Sequence, residues 1–221
     1  MRTALDPGRL RTLYDRLAAH YDIEHALLTG HSDQRARRLL VREAVSAGDR
    51  VLDAGAGTGS TALLAARRTG ADGRLTLLDA SPGMLAVARR RIDSAGLGER
   101  CVTGVGDLLA MPFPDACFDV ALSTFSLCPV YDPAAGAREL WRVVRPGGRL
   151  GIAHSIDPPG AVRRWLGTRI EALVWHLPAI SMGCRAVEVA PALEALGARI
   201  LLDRTVGVPL WPFRVLVLER R

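Results

Sequence analysis

The residues with the clearest chemical meaning form a glycine-rich turn after a short apolar run. Residues 51–59 read Val-Leu-Asp-Ala-Gly-Ala-Gly-Thr-Gly, so three glycines alternate with other residues behind the carboxylate of Asp53. Glycines at such positions let the backbone turn sharply and approach a bound molecule, because no Cβ is in the way. The segment predicts a strand, a ligand-binding turn and a helix. The expected ligand contacts in the turn are Gly55, Gly57, Thr58 and Gly59.

Two details of the turn distinguish between nucleotide ligands. The dinucleotide pattern G-x-G-x-x-G would place its last glycine at position 60, which is Ser60 here. A pyrophosphate at the start of the helix would lie a few Å from Asp53, a repulsion on the order of a few kcal/mol at an effective dielectric of about 20. The same carboxylate favours a cofactor with an ammonium group and no phosphate. S-adenosylmethionine (SAM) has that chemistry, and an NAD(P)-dependent oxidoreductase is the weaker alternative.

Two more acidic residues follow the next two predicted strands. Asp79 ends the second strand about twenty residues beyond the glycines, where a carboxylate accepts hydrogen bonds from both ribose hydroxyls of a nucleoside. Asp107 follows the third strand, where it could accept from an adenine amino group while Leu108 packs on the ring. Ligands in open α/β sheets bind at the edge formed by the carboxyl ends of the strands. The three acids therefore predict one nucleoside site.

The elements that must position these residues alternate between β-rich runs and helical patterns, which is typical of a parallel sheet wrapped by helices. The predicted strands are Arg50–Ala54, Arg74–Asp79, Cys101–Val105, Phe118–Ser123, Arg149–His154, Arg199–Val206 and Pro212–Leu218. The predicted helices are Thr61–Thr69, Gly83–Ala95, Ala134–Val144, Val162–His176 and Val187–Leu196. The connection Gly207–Trp211 is so short that the last two strands must be antiparallel.

These segments resemble class I SAM-dependent methyltransferases over nearly the whole chain. VLDAGAGTG is similar to their first motif, LTLLDASPGML to their second, and GDLLAMPFPDACFDVAL to their third with the following strand. The opening YDRLAAHYD (Tyr14–Asp22) resembles the N-terminal element of the ubiquinone/menaquinone-biosynthesis branch, which also contains phosphatidylethanolamine N-methyltransferases and thiol methyltransferases. Members of the branch methylate carbon, nitrogen and sulfur, so the resemblance does not carry over the acceptor.

The resemblance implies an α/β fold with a Rossmann-like, mostly parallel sheet of seven strands, the last antiparallel, and helices on both faces. A helical extension or lid at residues 1–48 would precede a SAM-binding domain at residues 49–221. Within the extension, the aromatic ring of Tyr21 would close over the cofactor. The other cofactor contacts that the motifs imply are Ala80, Met84, Gly106 and Ser123.

Fewer residues point to the chemistry of transfer. His154 ends the fifth strand, where many quinone-type relatives carry a glutamate; a neutral imidazole there could act as a general base or be a packing histidine. Phe125 and Cys128 follow the fourth strand and are expected to line the methyl-transfer cavity, although a cysteine is also a small buried hydrophobe. His25 is a candidate substrate contact. His20, His25 and His31 lack metal-ligand spacing, so no metal site is expected.

The run Val162–Ile180 is amphipathic at helical spacing and includes Trp165 and Trp175, which are candidate substrate contacts. Its apolar stripe could wall a substrate pocket, form the core face of a capping helix, or rest on a membrane surface, as Trp/Arg-rich interfacial helices do.

Composition excludes other classes. The 221 residues carry a formal net charge of +6, and all 29 basic residues are arginine. Without lysine, Schiff-base chemistry and the GxxxxGK[ST] phosphate loop are excluded. The arginines are scattered, without the aromatic interleaving of nucleic-acid binders, so a nucleic-acid partner is not expected. The four cysteines lack ligand spacing for zinc. We expect no secretory segment, and no apolar run of about 18 residues exists, so a cytoplasmic location is expected, with peripheral membrane contact left open.

The sequence as a whole predicts a SAM-dependent methyltransferase that acts on a small, largely apolar acceptor: a quinone-like carbon, a lipid amine or a thiol. A non-catalytic SAM-binding sensor or scaffold is the main alternative, because no single base is obvious. The attacking atom and the oligomeric state are left open.

Overall fold

A seven-stranded sheet forms the centre of the computed structural model, which describes residues 4–175 and 182–221. Its order is β3-β2-β1-β4-β5-β7-β6. Only β7 runs against the other strands, pairing antiparallel with both β5 and β6. This confirms the predicted Rossmann-like fold with an antiparallel last strand. The strands are β1 Arg50–Ala54, β2 Arg74–Asp79, β3 Cys101–Val105, β4 Phe118–Thr124, β5 Val144–Ser155, β6 Arg199–Val208 and β7 Trp211–Glu219.

Helices cover both faces of the sheet, as predicted. In the described part of the chain they are α1 Pro7–Leu17, α2 Tyr21–Thr29, α3 Ser32–Ala44, α4 Ser60–Thr69, α5 Pro82–Ser94, α6 Pro133–Val143, α7 Ala161–Trp175 and α8 Ala190–Glu194, with a 3₁₀ turn at Gly98–Arg100. One buried cluster joins α3, α4 and α5 to one face, and a second joins α6 and α8 to the other. None of the helices in the described ranges is long and apolar enough to cross a bilayer.

Strand β1 shows how the sheet directs the functional residues. Side chains alternate between the two faces of a strand. Val51 packs in the α3/α4/α5 cluster, whereas Leu52 and Ala54 belong to the α6/α8 cluster. Asp53 is therefore directed towards the same helix layer as Val51. Because central parallel strands are covered on both faces, this carboxylate is completely buried.

Two element boundaries differ from the prediction by three residues or more, and the others by at most two. Helix α8 begins at Ala190 and not at Val187, because Pro191 lacks an N–H and fits only in the first helical turn. Strand β5 begins at Val144, directly after α6, because Val144 pairs with Phe118 before the register shifts. The predicted helix Val162–His176 is present as α7, but residue 176 lies outside the described residues.

The three N-terminal helices have different surroundings. Helix α3 is a core element: Ala36, Leu40 and Ala44 are fully buried in the cluster on the sheet face. Helix α1 packs on α5, and α2 contacts the glycine turn through Asp22. Only α1 and α2 therefore have the position expected of a lid.

Candidate active site

A cavity of about 470 Å³ lies at the carboxyl ends of β1 to β4. The glycine turn, the segments that follow β2, β3 and β4, and the N-terminal helices form its walls. Its lining includes these residues predicted to contact cofactor or substrate: Tyr21, Gly55, Gly57, Asp79, Ala80, Met84, Gly106, Asp107, Leu108 and Phe125. The topology brings these residues together because parallel strands place their carboxyl ends at one edge.

The glycine turn depends on conformations that other residues adopt at a cost. Gly55 has φ +69°, and a Cβ on it would lie 2.2 Å from the Cβ of Ser126. Gly57 has φ +53°, and a Cβ there would meet no protein atom within 4 Å. The turn thus packs closely against the segment after β4 at Gly55 and leaves open space at Gly57. That space belongs to the cavity.

Asp79 connects the end of β2 to the glycine turn. Its Oδ2 accepts a hydrogen bond from the backbone N–H of Gly57 at 2.7 Å, and its Oδ1 accepts one from the N–H of Ser81 at 2.8 Å. Burial raises the pKa of this carboxyl, although the two N–H groups act in the opposite direction. Each carboxylate oxygen retains a lone pair after its backbone bond, so the side chain can also accept from a ligand.

The segment after β3 forms the far wall. Asp107 is exposed, and its Oδ1 accepts from the N–H of Leu109 at 2.8 Å, which orders the turn. Leu108 is buried beside it. Gly106 passes so close to Leu78 that a Cβ would lie 2.6 Å from its Cδ1. This wall combines an apolar surface with a carboxylate.

Asp53 lies beneath the turn and not on the cavity surface. It is fully buried, and in the described part of the chain no partner of either carboxylate oxygen has full hydrogen-bond geometry, although the backbone N–H of Ala62 acts on the carboxyl and lowers its pKa. Burial raises its pKa to about 7, which the nearby Arg37 guanidinium only partly offsets. The carboxyl is therefore partly protonated near neutral pH. Its repulsion of a pyrophosphate is correspondingly weaker than the sequence argument assumed for a full charge.

The raised pKa makes the stability of the protein depend on pH. The folded-state pKa of Asp53 lies above its unfolded value of about 4. Well below pH 4 the carboxyl is protonated in both states and its pKa difference does not affect stability. As the pH rises from 4 to 7, the unfolded state loses this proton first, so the free energy of unfolding falls progressively. Asp53→Asn removes this pH-dependent loss of stability, because an amide does not ionise. We expect the free energy of unfolding of the variant, relative to wild type, to increase by about 2 kcal/mol between pH 5 and pH 8. Urea unfolding across this range measures the difference. The exposed control Asp72→Asn should follow wild type, and a pH-independent difference for Asp53→Asn would contradict the assignment.

An aromatic row closes one side of the cavity. The rings of Tyr14 and Tyr21 have centroids 5.9 Å apart, and Tyr21 stacks on His25 at 5.3 Å. The ring of Phe125 follows at 5.1 Å from His25. His25 is behind Tyr21, with its Nδ1 3.3 Å from Asp33, and burial lowers its pKa. It supports the row and does not line the cavity.

The buried side chain of Arg37 lies behind this row of aromatic rings. The Arg37 guanidinium donates to Thr61 at 2.6 Å and to Thr124 at 2.5 Å, and it lies 5.0 Å from the centre of the Phe125 ring. It is the positive group that acts on Asp53. Sequence reasoning missed Arg37, since nothing distinguishes it from the other arginines of α3.

Several predicted contacts lie behind the cavity wall. Ser123 hydrogen-bonds at 2.5 Å to Ser126, whose hydroxyl donates to the carbonyl of Ala54. Thr58 donates to Asp22 at 2.8 Å. Gly59, with φ +79°, begins α4 close to Ala88. Ser126, from the segment after β4 that was expected to line the cavity, does line it.

The remaining candidates are distributed over the fold. His154 is fully buried at the end of β5, its Nδ1 3.1 Å from the carbonyl of Ser155, and burial lowers its pKa. Cys128 is buried, and its sulfur accepts from the N–H of Ser155. Trp165 is 58% exposed. None of the three lines the cavity. The side chain of Trp175 lies outside the part of the chain that the structure describes. Among the described residues, no group of His, Cys, Asp and Glu side chains could hold a metal ion.

The chain is similar to known proteins in both sequence and fold. The family described as a methyltransferase domain matches residues 51–148. A demethylmenaquinone methyltransferase of Thermus thermophilus is 36% identical over 197 residues, 84% of this chain and 88% of that protein. A ubiquinone/menaquinone biosynthesis C-methyltransferase, UbiE, of Geobacter sulfurreducens is 35% identical over 151 residues, 68% of this chain and 59% of the relative. The crystal structure of the cyclase SpnF has the same fold, with a TM-score of 0.74 and 20% identity over 99% of this chain and 98% of that one.

The methyltransferase relatives and the matching family, together with the sheet order and the glycine turn, show that the protein is a class I SAM-dependent methyltransferase, an enzyme with SAM as its cofactor. Since the similarity to the Thermus protein extends over most of both chains, the protein belongs to the ubiquinone/menaquinone-biosynthesis branch of these methyltransferases.

Proposed function

We propose that the enzyme transfers the methyl group of SAM to a ring carbon of a quinol-like acceptor with an apolar substituent. The observation that carries this proposal is the 36% identity over 88% of the Thermus demethylmenaquinone methyltransferase. An acceptor of this kind is soluble in lipid, so the enzyme would meet it at a membrane surface.

The walls of the cavity on the acceptor side support an apolar, flat molecule. Leu10 and Tyr14 of α1 face the cavity together with Phe125, Pro129 and Val130. The Tyr14 hydroxyl donates to the carbonyl of Met182 at 2.9 Å, so its ring is held in place. Side chains of this type exclude water and orient a ring, which lowers the barrier to an in-line displacement.

The cofactor side fits SAM. When bound, SAM supplies an electrophilic methyl group on its sulfonium. The Asp79 carboxylate would accept hydrogen bonds from the ribose hydroxyls, and that of Asp107 would accept one from the adenine amino group. Leu108 would pack on the adenine ring. Gly57 leaves room for the molecule beside the turn. The buried Asp53 carboxyl beneath the turn is partly ionised near neutral pH, and this partial negative charge favours a cationic cofactor over an anionic one.

Arg11 would place a positive charge near the acceptor. Its exposed side chain lines the cavity at α1, where no histidine is among the lining residues. A guanidinium favours the ionised form of a nearby phenol and therefore lowers its pKa. An ionised quinol has a more nucleophilic ring. Its phenol proton, and the ring proton that the methyl group replaces, would pass to water at the cavity mouth, so the enzyme needs no strong base of its own. His154 has no contact with the cavity through which it could take the proton.

The proposal is tested by incubating the protein with trideuteromethyl-SAM and a short-chain, chemically reduced demethylmenaquinone, and then locating the label by mass spectrometry. We expect the label on a ring carbon. Arg11→Gln should slow transfer and leave SAM binding intact, whereas Arg9→Gln, an exposed change on the same helix, should change neither. Label transfer to amine or thiol acceptors but not to the quinol would overturn the proposed acceptor.

We further propose that α1 and α2 act as a lid over the bound cofactor. Asp15 of α1 accepts from the Ser81 hydroxyl at 2.5 Å and from the N–H of Gly83 at 2.9 Å. Asp22 of α2 accepts from Thr58, Ser60 and Arg91 at 2.7–3.0 Å. Each carboxylate thus ties a lid helix to the start of a helix beside the cofactor, where the helix dipole also favours a negative charge.

Removal of the α2 contact is expected to loosen the lid. We expect Asp22→Ala to increase the dissociation rate of SAM about threefold to tenfold, because Asp22 is partly exposed and solvent weakens its ion pair with Arg91. Stopped-flow displacement of SAM measures the rate. The control Glu24→Ala lies on the same helix and should leave it unchanged. Equal rates for Asp22→Ala and wild type would count against the lid.

A further inference from the structure

We propose that the outer faces of α2, α7 and the β6–β7 hairpin form one docking surface for a bilayer that contains anionic lipids. The apolar part of this docking surface consists of Ile23, Leu27, Val162, Trp165, Val208 and Leu210. The inference rests on the proposed function in one respect: the acceptor is soluble in lipid.

Helix α2 has apolar side chains on both sides. Its inner face buries Tyr21, His25 and Thr29 against the protein. On the opposite side, Ile23 is 65% exposed and Leu27 is 72% exposed. Contiguous exposed apolar residues of this kind mark interaction sites on soluble proteins.

The three elements meet at the hairpin. Gly30, which ends α2, is so close to β6 that a Cβ would lie 3.8 Å from the Cγ1 of Val208. Gly167 brings α7 close to the hairpin in the same way, since a Cβ on it would lie 3.5 Å from the carbonyl oxygen of Leu210. Val208 and Leu210 are both exposed and lie between α2 and α7. Helices α2 and α7 therefore both border the hairpin that carries the exposed Val208 and Leu210.

The docking surface lies at the same edge of the sheet as the cavity. Strand β6 runs parallel to β1–β5 and ends at Val208, so the hairpin lies at the carboxyl edge. Helix α7 follows β5, which also ends there. The cavity opens at the carboxyl ends of β1 to β4. A bilayer against the docking surface would therefore face the edge at which the acceptor must enter.

The charges favour a lipid surface as the occupant. Residues 157–171 contain three arginines, and their two acidic residues, Asp157 and Glu171, lie at the ends of the segment. Arg163 and Arg164 are exposed beside the exposed Val162, and the Arg169 guanidinium lies 5.3 Å from the Trp165 ring. Tryptophan and arginine interspersed with aliphatic side chains are typical of interfacial helices. Arginines near a membrane surface are attracted by anionic headgroups.

The test is flotation of the complete chain with vesicles of phosphatidylcholine, with and without phosphatidylglycerol, in the absence of acceptor. We expect strong binding only with phosphatidylglycerol. Leu27→Ser/Val162→Ser should weaken it at least tenfold through lost apolar burial. Arg163→Gln/Arg164→Gln should weaken it about tenfold to thirtyfold, since each arginine near the surface contributes on the order of 1 kcal/mol. The control Val102→Ser changes an exposed valine on the far edge strand β3, and Arg67→Gln/Arg90→Gln lowers the net charge equally elsewhere.

Two assays separate this inference from the proposed function. The surface variants should transfer methyl to a water-soluble, short-chain quinol at the wild-type rate and lose activity only on a long-chain quinol in vesicles. Absence of vesicle binding, or equal weakening by the control variants, would overturn the docking surface while leaving methyl transfer intact. Vesicle binding without methylation of any quinol would overturn the proposed acceptor instead. If the variants lose binding to an acidic protein but not to vesicles, the surface serves a protein partner and the inference is wrong.

Discussion

Replacement of Gly55 by alanine is expected to lower the free energy of unfolding by about 2–5 kcal/mol. The left-handed backbone conformation costs a residue with a Cβ about 1–2 kcal/mol, and overpacking costs about 1–3 kcal/mol more. The new Cβ would lie 2.2 Å from the Cβ of Ser126, an atom attached directly to the backbone, which cannot rotate away. For a chain of this length the melting temperature should fall by roughly 5–15 °C, which calorimetry measures.

Gly48→Ala is the matched control for this change. Gly48 has φ +79°, and a Cβ on it would meet no atom within 4 Å. It should therefore lose only the conformational part, about 1–2 kcal/mol. If Gly55→Ala were no less stable than Gly48→Ala, the close approach of the glycine turn to Ser126 would not exist in solution.

Replacement of Asp79 by alanine is expected to weaken SAM binding at least a hundredfold. The carboxylate positions the turn through the N–H groups of Gly57 and Ser81, and we propose that it also accepts the ribose hydroxyls. Hydrogen bonds to a charged group contribute about 1.5–3 kcal/mol each, so loss of two costs at least a factor of a hundred. Titration calorimetry with SAM measures the dissociation constant.

The effect should depend on the position of Asp79 and not on the loss of one negative charge. Asp93→Ala removes an exposed carboxylate from α5 and should leave the dissociation constant unchanged. Asp79→Asn keeps the size of the side chain but provides one acceptor oxygen in place of two, so it should bind SAM between wild type and Asp79→Ala. A dissociation constant for Asp79→Ala within threefold of wild type would contradict the assignment.

Local sequence was sufficient for the elements around the site. The predicted start of α5 at Gly83 is one residue from the observed start at Pro82, because the sequence offers Ser81 as a helix cap and Pro82 for the first turn. The short hairpin connection predicted the reversed direction of β7. Both are consequences of backbone chemistry within a few residues, which a sequence displays directly.

The three aspartates of the site show what sequence spacing predicts and what it does not. Spacing placed Asp53, Asp79 and Asp107 at one edge of the sheet, and the sheet has them there. Spacing did not show that Asp53 lies beneath the turn with a pKa near 7, because burial depends on which helices cover β1. Arg37, the cation beside it, comes from α3, which the sequence assigned to an extension outside the domain.

The sequence by itself determined the sheet, the glycine turn and the class of cofactor, because strand periodicity, turn chemistry and motif spacing are encoded within short stretches of chain. Only the tertiary structure decided which candidates reach the cavity. His154, Cys128 and Trp165 lie elsewhere, while Arg11, Asp15 and Asp22 take part in the site or its lid. Contacts between residues distant in sequence arise from packing of the whole chain, and no local pattern specifies them.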